Sequence, residues 1–329
     1  MFRKVTLAMT ALAITAALAA GPVMAKPIVI KFSHVVAENT PKGQMANKFR
    51  DLVAERMGDK VVVEVYPNSQ LFSQTKVLEA ILLGDVQMSA PAMSVFGRYT
   101  KQLELYDLPF LFKDMEAVDK FQSSEAGQKM LTSLKGGLLG LGYLHNGMKQ
   151  FTSSQPLKVP ADAKGLKFRI MSSDVLAAQF QAVQAIPLKK PFSEVFTLLQ
   201  TRAIDGQENT WSNIYSKKFF EVQPYITESN HGLLDYMVIT SKEFWNGLPD
   251  DIRPELKKIL DEAIAFGNQI AAEKAMSDKQ KIIESNRSQI LTLTDEERAQ
   301  WVEVMKPVWK KFEKQIGKDL IDAAYNANK

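Results

Sequence analysis

An α/β fold in two lobes, each a mainly parallel sheet flanked by helices, is predicted by three observations. Short apolar strands alternate with amphipathic helices over residues 28–89, and the alternation resumes after a helical middle. Roughly 300 residues can bury more core than a single compact lobe usually holds. No low-complexity linker or internal repeat separates independent halves, so the chain is expected to cross between lobes several times.

Residues 1–25 read as an export signal. Arg3 and Lys4 give the positive start, residues 5–20 are apolar, Gly21-Pro22 breaks the run, and Val23-Met24-Ala25 fits a cleavage site before Lys26. An uncleaved anchor is the alternative, but the stretch is short and alanine-rich beside the roughly 20 strongly apolar residues that a span needs. The mature protein is therefore expected in the periplasm. Removing the signal takes away two cations and no acid, so the formal excess of four positive charges falls to two. That balance speaks against a nucleic-acid partner, which requires clustered positive charge. The chain has no cysteine, which excludes disulfides, thiolate metal sites and a cysteine nucleophile.

Residues 28–32 form the first expected strand, followed by a loop over 33–39. Thr40 is a good N-cap, Pro41 suits the first helical position and Gly58 closes the helix. Met45, Phe49, Leu52, Val53 and Met57 recur on one face between them. A strand over 61–66 ends at Pro67-Asn68, and a helix near 75–83 and a strand near 86–89 complete a βαβαβ pattern. The Gly136–Gly142 cluster lacks the third glycine of a dinucleotide fingerprint and reads as a turn into a strand over 138–144. Gly165 leads into a strand over 166–171, and Ser172, Ser173 or Asp174 caps a helix to about 183. A helix over 194–201 feeds the Asp205-Gly206 turn. A long helix is expected over 250–288 with Pro254 in its first turn, and Thr294 with Glu297 forms a capping box for the last helical group.

No catalytic signature is present: there is no G-x-S-x-G, no H-E-x-x-H and no His/Cys cluster at metal spacing. His34, His145 and His231 are far apart, and acidic pairs such as Asp250-Asp251 complement helix starts. The expectation is a binding protein, with no catalytic residue, metal or cofactor. Arg169 stands out, near the C-terminal end of a strand and just before a capped helix, the edge where open α/β sheets bind ligands. A guanidinium there can grip a carboxylate with two prongs. On spacing alone a surface or interlobe salt bridge is the readier explanation, and the ligand reading rests on general placement. Thr40-Pro41-Lys42 offers an anion a helix N-terminus and a full charge, although capping by itself explains the first two. Lys149 reads as a loop lysine, and Trp211 shares helical spacing with Tyr215 and Phe219, the pattern of a core stripe.

Together GLKFRI at 165–170, PFSEVFTLLQTRAIDGQEN at 191–209, YPNSQL at 66–71, HNGMKQFT at 145–152 and LPFLF at 108–112 resemble the solute-binding subunit of a TRAP transporter, the tripartite ATP-independent periplasmic class. IKFSHVVAENTPKG at 30–43 is most similar to the C4-dicarboxylate binders of that family. The resemblance implies two lobes joined by crossing strands and a long helix spanning both. It puts residues 26–146 with about 235–274 in one lobe and 147–234 with about 275–329 in the other. It implies a receptor for succinate, fumarate or malate that serves the small and large membrane subunits of the transporter. Another small organic acid, such as a 2-oxo, aromatic or sugar acid, is the alternative. The selectivity arginine of the family falls on Arg169, its amide partner on Asn209, and an aromatic at the ligand on Phe192. Lys149 stands where sugar-acid binders carry a second arginine. Thr210-Trp211 replaces a proline found after the asparagine in many relatives, so Trp211 is a candidate wall. Lys42, Thr40 and Lys149 are the expected holders of a second carboxylate, with His34, Ser73 and Ser94 as further members of the set.

Overall fold

The computed structural model describes residues 26–329; the expected signal at 1–25 lies outside them. Nine strands run in chain order: β1 (Ile28–Ser33), β2 (Val61–Tyr66), β3 (Met88–Ser89), β4 (Leu138–Ser153), β5 (Lys167–Ile170), β6 (Ile186–Lys189), β7 (Gly206–Asn209), β8 (Tyr225–Ser241) and β9 (Gln289–Thr292). The helices are α1 (Pro41–Met57), α2 (Lys76–Leu82), α3 (Met115–Ser123), α4 (Glu125–Leu131), α5 (Asp174–Ala182), α6 (Val195–Gln200), α7 (Trp211–Ser216), α8 (Lys242–Gly247), α9 (Arg253–Ser285), α10 (Asp295–Met305), α11 (Val308–Ile316) and α12 (Lys318–Asn326).

Strand order is β2-β1-β3-β8-β4-β7-β5-β6, with β9 beside the start of β8. The two ends of this sheet are parallel, β1 with β2 and β3, and β5 with β6 and β7. Between them β4 and β8 pair antiparallel from Leu138–Ser241 to Ser153–Tyr225, so two long strands carry the chain through both lobes. Their register shifts between Leu144 and Gly147. There the His145 imidazole lies 2.7 Å from Asp235 Oδ2 and 2.6 Å from Asp119 Oδ1 of α3. Burial alone would lower the His145 pKa, but the two carboxylates outweigh it and raise it to about 10.

The local signals hold where capping and periodicity are strong. Thr40 Oγ accepts from Gly43 N at 3.2 Å, Gly58 ends α1 at φ +49°, and the apolar face of α1 is buried. A Cβ on Gly43 would sit 2.5 Å from the Ala37 and Glu38 carbonyl oxygens, so only glycine lets the loop before α1 fold back this closely. The Thr294–Glu297 capping box is formed. With 33 residues α9 extends about 50 Å and packs on α1, α7 and β4. Two local expectations fail. The strand read as ending near residue 144 continues to Ser153 and carries Lys149, which is therefore no loop residue. The turn at Asp205-Gly206 opens a further strand, β7, which delivers Glu208 and Asn209. At the C-terminus α10 packs on α5, whereas α12 packs on α3 and the 3₁₀ turn Gln102–Asp107.

Candidate functional site

Arg169 is the third residue of β5 and its side chain is buried. Its Nε donates to the Lys190 carbonyl at 2.9 Å, which orients the guanidinium and leaves both terminal nitrogens without a hydrogen bond to the described residues. The Phe192 ring lies 5.7 Å from Cζ. Burial pushes the guanidinium down to about 10, opposed by Glu208 and Glu194, neither of which forms an ion pair with it. Asn209 ends β7, beside β5. Its Oδ1 accepts from Thr210 N at 3.2 Å and Asn213 Nδ2 at 2.8 Å, and its Nδ2 donates to Gln207 at 3.1 Å, leaving one amide hydrogen free. Arg169, Phe192, Asn209, Asn213, Gln74 and Tyr236 line one narrow cavity.

A second, closely packed recess adjoins it, sharing Val35 and Gln74, and is lined by His34, Lys42 and Ser89. Lys42 turns inward from the first turn of α1. Its ammonium donates to the Ala90 carbonyl at 2.8 Å and lies 3.4 Å from the centre of the Tyr236 ring. Burial drives its pKa well below the ordinary lysine value, with no carboxylate acting against that shift. His34 is pushed down to about 3 by burial and then by Lys42, so its imidazole is neutral, and neither ring nitrogen has a partner among the described residues.

Lys149, expected to reach a second carboxylate, is already committed inside the fold. Its Nζ lies 2.7 Å from Glu208 Oε1. Glu208 Oε2 accepts from Gln179 at 2.9 Å and faces His231 Nε2 at 2.8 Å. Burial would raise the Glu208 pKa, but Lys149 and His231 outweigh it and hold the carboxylate ionised, at about 2. Lys149 lines neither cavity. Thr40 also stays outside, since its hydroxyl donates to Ala37 O at 2.7 Å and caps α1. Ser94 is buried against Asp107. Trp211 packs with Val195, Leu199 and Phe219, with the Lys279 ammonium 5.3 Å over its ring, and forms no wall of the cavity. Ser73 lies in the cleft outside Arg169, with Thr75 and Lys189.

Gln74, Asn213 and Tyr236 are the residues that sequence reasoning missed. Gln74 Oε1 accepts from Ala92 N at 2.8 Å, which turns its amide hydrogens elsewhere. The Tyr236 hydroxyl is approached by two amide nitrogens, Asn146 Nδ2 at 2.7 Å and Asn213 Nδ2 at 3.5 Å, so its proton is left for another acceptor. The arrangement as a whole presents donors and cations to an anion. Among the described residues there is no group of three or more His, Cys, Asp or Glu able to hold a metal, and no helix long and apolar enough to cross a membrane.

Residues 32–315 match the family model of the bacterial extracellular solute-binding proteins, family 7. The C4-dicarboxylate-binding periplasmic protein DctP of Shewanella loihica is 68% identical over 305 residues, 92% of this chain and 91% of that protein. The protein of the same name from Vibrio cholerae is 50% identical, covering 100% and 99%. A TRAP periplasmic solute-binding protein from Shewanella oneidensis, solved with bound succinate, superposes with a TM-score of 0.91 at 67% identity, over 92% of this chain and all of that one. One from Pseudomonas aeruginosa with bound L-malate gives 0.85 at 45% identity, over 87% and 100%. The two-lobed α/β architecture, the buried arginine and amide at the sheet edge and these matches agree: the chain belongs to the family 7 bacterial extracellular solute-binding proteins, the solute receptors of TRAP transporters.

Proposed function

We propose that this protein is a periplasmic receptor that captures a C4-dicarboxylate between its lobes and delivers it to the small and large membrane subunits of a TRAP transporter. Charge balance carries the reading. Of the three buried lysine and arginine side chains among the described residues, Lys149 is neutralised by Glu208, while Lys42 and Arg169 have no carboxylate partner and line adjoining cavities. A buried charge without a partner is heavily penalised. Two such cations in one small site call for a ligand with two negative ends.

One ligand carboxylate pairs with the terminal nitrogens of Arg169 and the free amide hydrogen of Asn209. The other meets Lys42, with His34 and Gln74 beside it. Residues 26–146 and 235–274 are assigned to one lobe and 147–234 to the other. The segment from about 275 goes with the second, although α12 docks back on α3. On that division His34, Lys42 and Gln74 come from one lobe, Arg169, Phe192 and Asn209 from the other, and Tyr236 from a crossing strand. A ligand touching both sets favours the closed state through contacts that the open state lacks. No bond is made or broken.

Thermal unfolding with a panel of acids tests this. Succinate, fumarate or malate at 100 times its dissociation constant should stabilise the protein by about 2.7 kcal/mol. A larger response to a 2-oxo, aromatic or sugar acid than to every C4-dicarboxylate would replace this reading with the wider organic-acid one.

A further inference from the structure

We infer that Asn213 reads a hydroxyl group on the ligand, so that the site favours a 2-hydroxy C4-dicarboxylate over the unsubstituted diacid. This rests on the C4-dicarboxylate reading above and sharpens it. A backbone N–H can only donate, and that of Thr210 points at Asn209 Oδ1 from 3.2 Å. The position of the Asn209 oxygen is thereby fixed. Asn213 meets that oxygen at 2.8 Å, so it must present its NH₂ there, because two amide oxygens would repel. Its own Oδ1 is turned away, is buried, and finds no donor among the described residues. Asn213 lines the cavity that holds Arg169 and Asn209.

An amide oxygen only accepts. It repels a carboxylate and gains nothing from a methylene, but it takes a hydrogen bond from a hydroxyl. The two ligand carboxylates are engaged by Arg169 and Lys42, so the donor has to sit on the carbons between them. An ammonium there would add a third positive charge to a site already holding two buried cations. A hydroxyl satisfies Asn213 without that repulsion.

Calorimetric titration of the purified protein with succinate, L-malate and D-malate tests the inference. The better malate enantiomer should bind about tenfold tighter than succinate. Asn213→Ala should bring the two ligands within about threefold of each other, by weakening malate more than succinate. Asn213→Asp keeps an acceptor oxygen and should keep the preference at lower overall affinity. Equal binding of succinate and both malates by the parent protein would overturn the inference, as would a preference that survives Asn213→Ala or equal losses of both ligands in that variant. If Asn213→Ala does not fold, the parent ratio still decides. Failure of all three diacids to bind the parent would overturn the dicarboxylate reading itself.

Discussion

Lys42 and Lys149 are both fully buried lysines, yet their surroundings are opposite. Lys149 projects from β4 onto Glu208, whose remaining oxygen is held by Gln179 and His231, so every charge in that cluster is answered within the protein. Lys42 projects from α1 onto a carbonyl oxygen and the face of a tyrosine, and no carboxylate answers it. A buried ion pair with satisfied hydrogen bonds belongs to the fold; a buried cation facing a cavity awaits a ligand. Burial and residue type are the same in the two cases, and only the partner differs.

The comparison breaks most visibly if Lys149 is removed. Lys149→Met leaves the Glu208 carboxylate buried against a neutral histidine, and losing one partner of a buried pair costs about 3–5 kcal/mol. A drop in melting temperature on the order of 10 °C is expected, largely restored by adding Glu208→Gln. A variant as stable as the parent would return Lys149 to the ligand-binding set. Arg169→Lys tests the opposite class. Charge is kept while the two-pronged geometry and the bond to Lys190 O are lost, so affinity for a C4-dicarboxylate should fall at least about a hundredfold with the melting temperature nearly unchanged. Calorimetric affinity within fivefold of the parent would remove Arg169 as the anchor.

His145 adds a third, smaller contrast, a cation answered twice, by Asp235 and Asp119, where the strands cross. Its pKa is raised from 6.5 to about 10 in the folded protein. The stabilisation is therefore complete below the unfolded value near 6.5 and is lost as pH rises through about 10. Melting temperature should decline between pH 7 and 10, and His145→Gln should flatten that limb. An unchanged slope in the variant would assign the alkaline loss to other groups.

What the sequence made legible follows from where the signals are local. The α1 cap, the parallel strand ends and the position of Arg169 are set by residues within a few places of one another, and all were readable. Asn209 was reached only through family resemblance, because β7 is four residues long and opens on a glycine that reads as a turn. Lys149 is misplaced because the apolar run stops at Leu144 and His145-Asn146-Gly147 follows it, whereas the register shift of β4 against β8 between Leu144 and Gly147 accommodates those residues and the strand runs on. Gln74, Asn213 and Tyr236 carry no local signal. Tyr236 sits in a run of buried strand residues where an aromatic is ordinary, and only the fold brings it over Lys42.

The claim that Lys42 and Arg169 together demand a dianion is tested most directly by Lys42→Met, titrated with succinate and with butyrate, which shares the four-carbon chain but ends in a methyl group. Methionine fills a similar volume, and replacing an unpaired buried ammonium should leave stability unchanged or higher. Succinate affinity is predicted to fall about a hundredfold, while butyrate affinity stays within about threefold or improves. Equal losses for the two acids, or no loss for either, would contradict the account, since Lys42 would then not be the group that holds the second carboxylate.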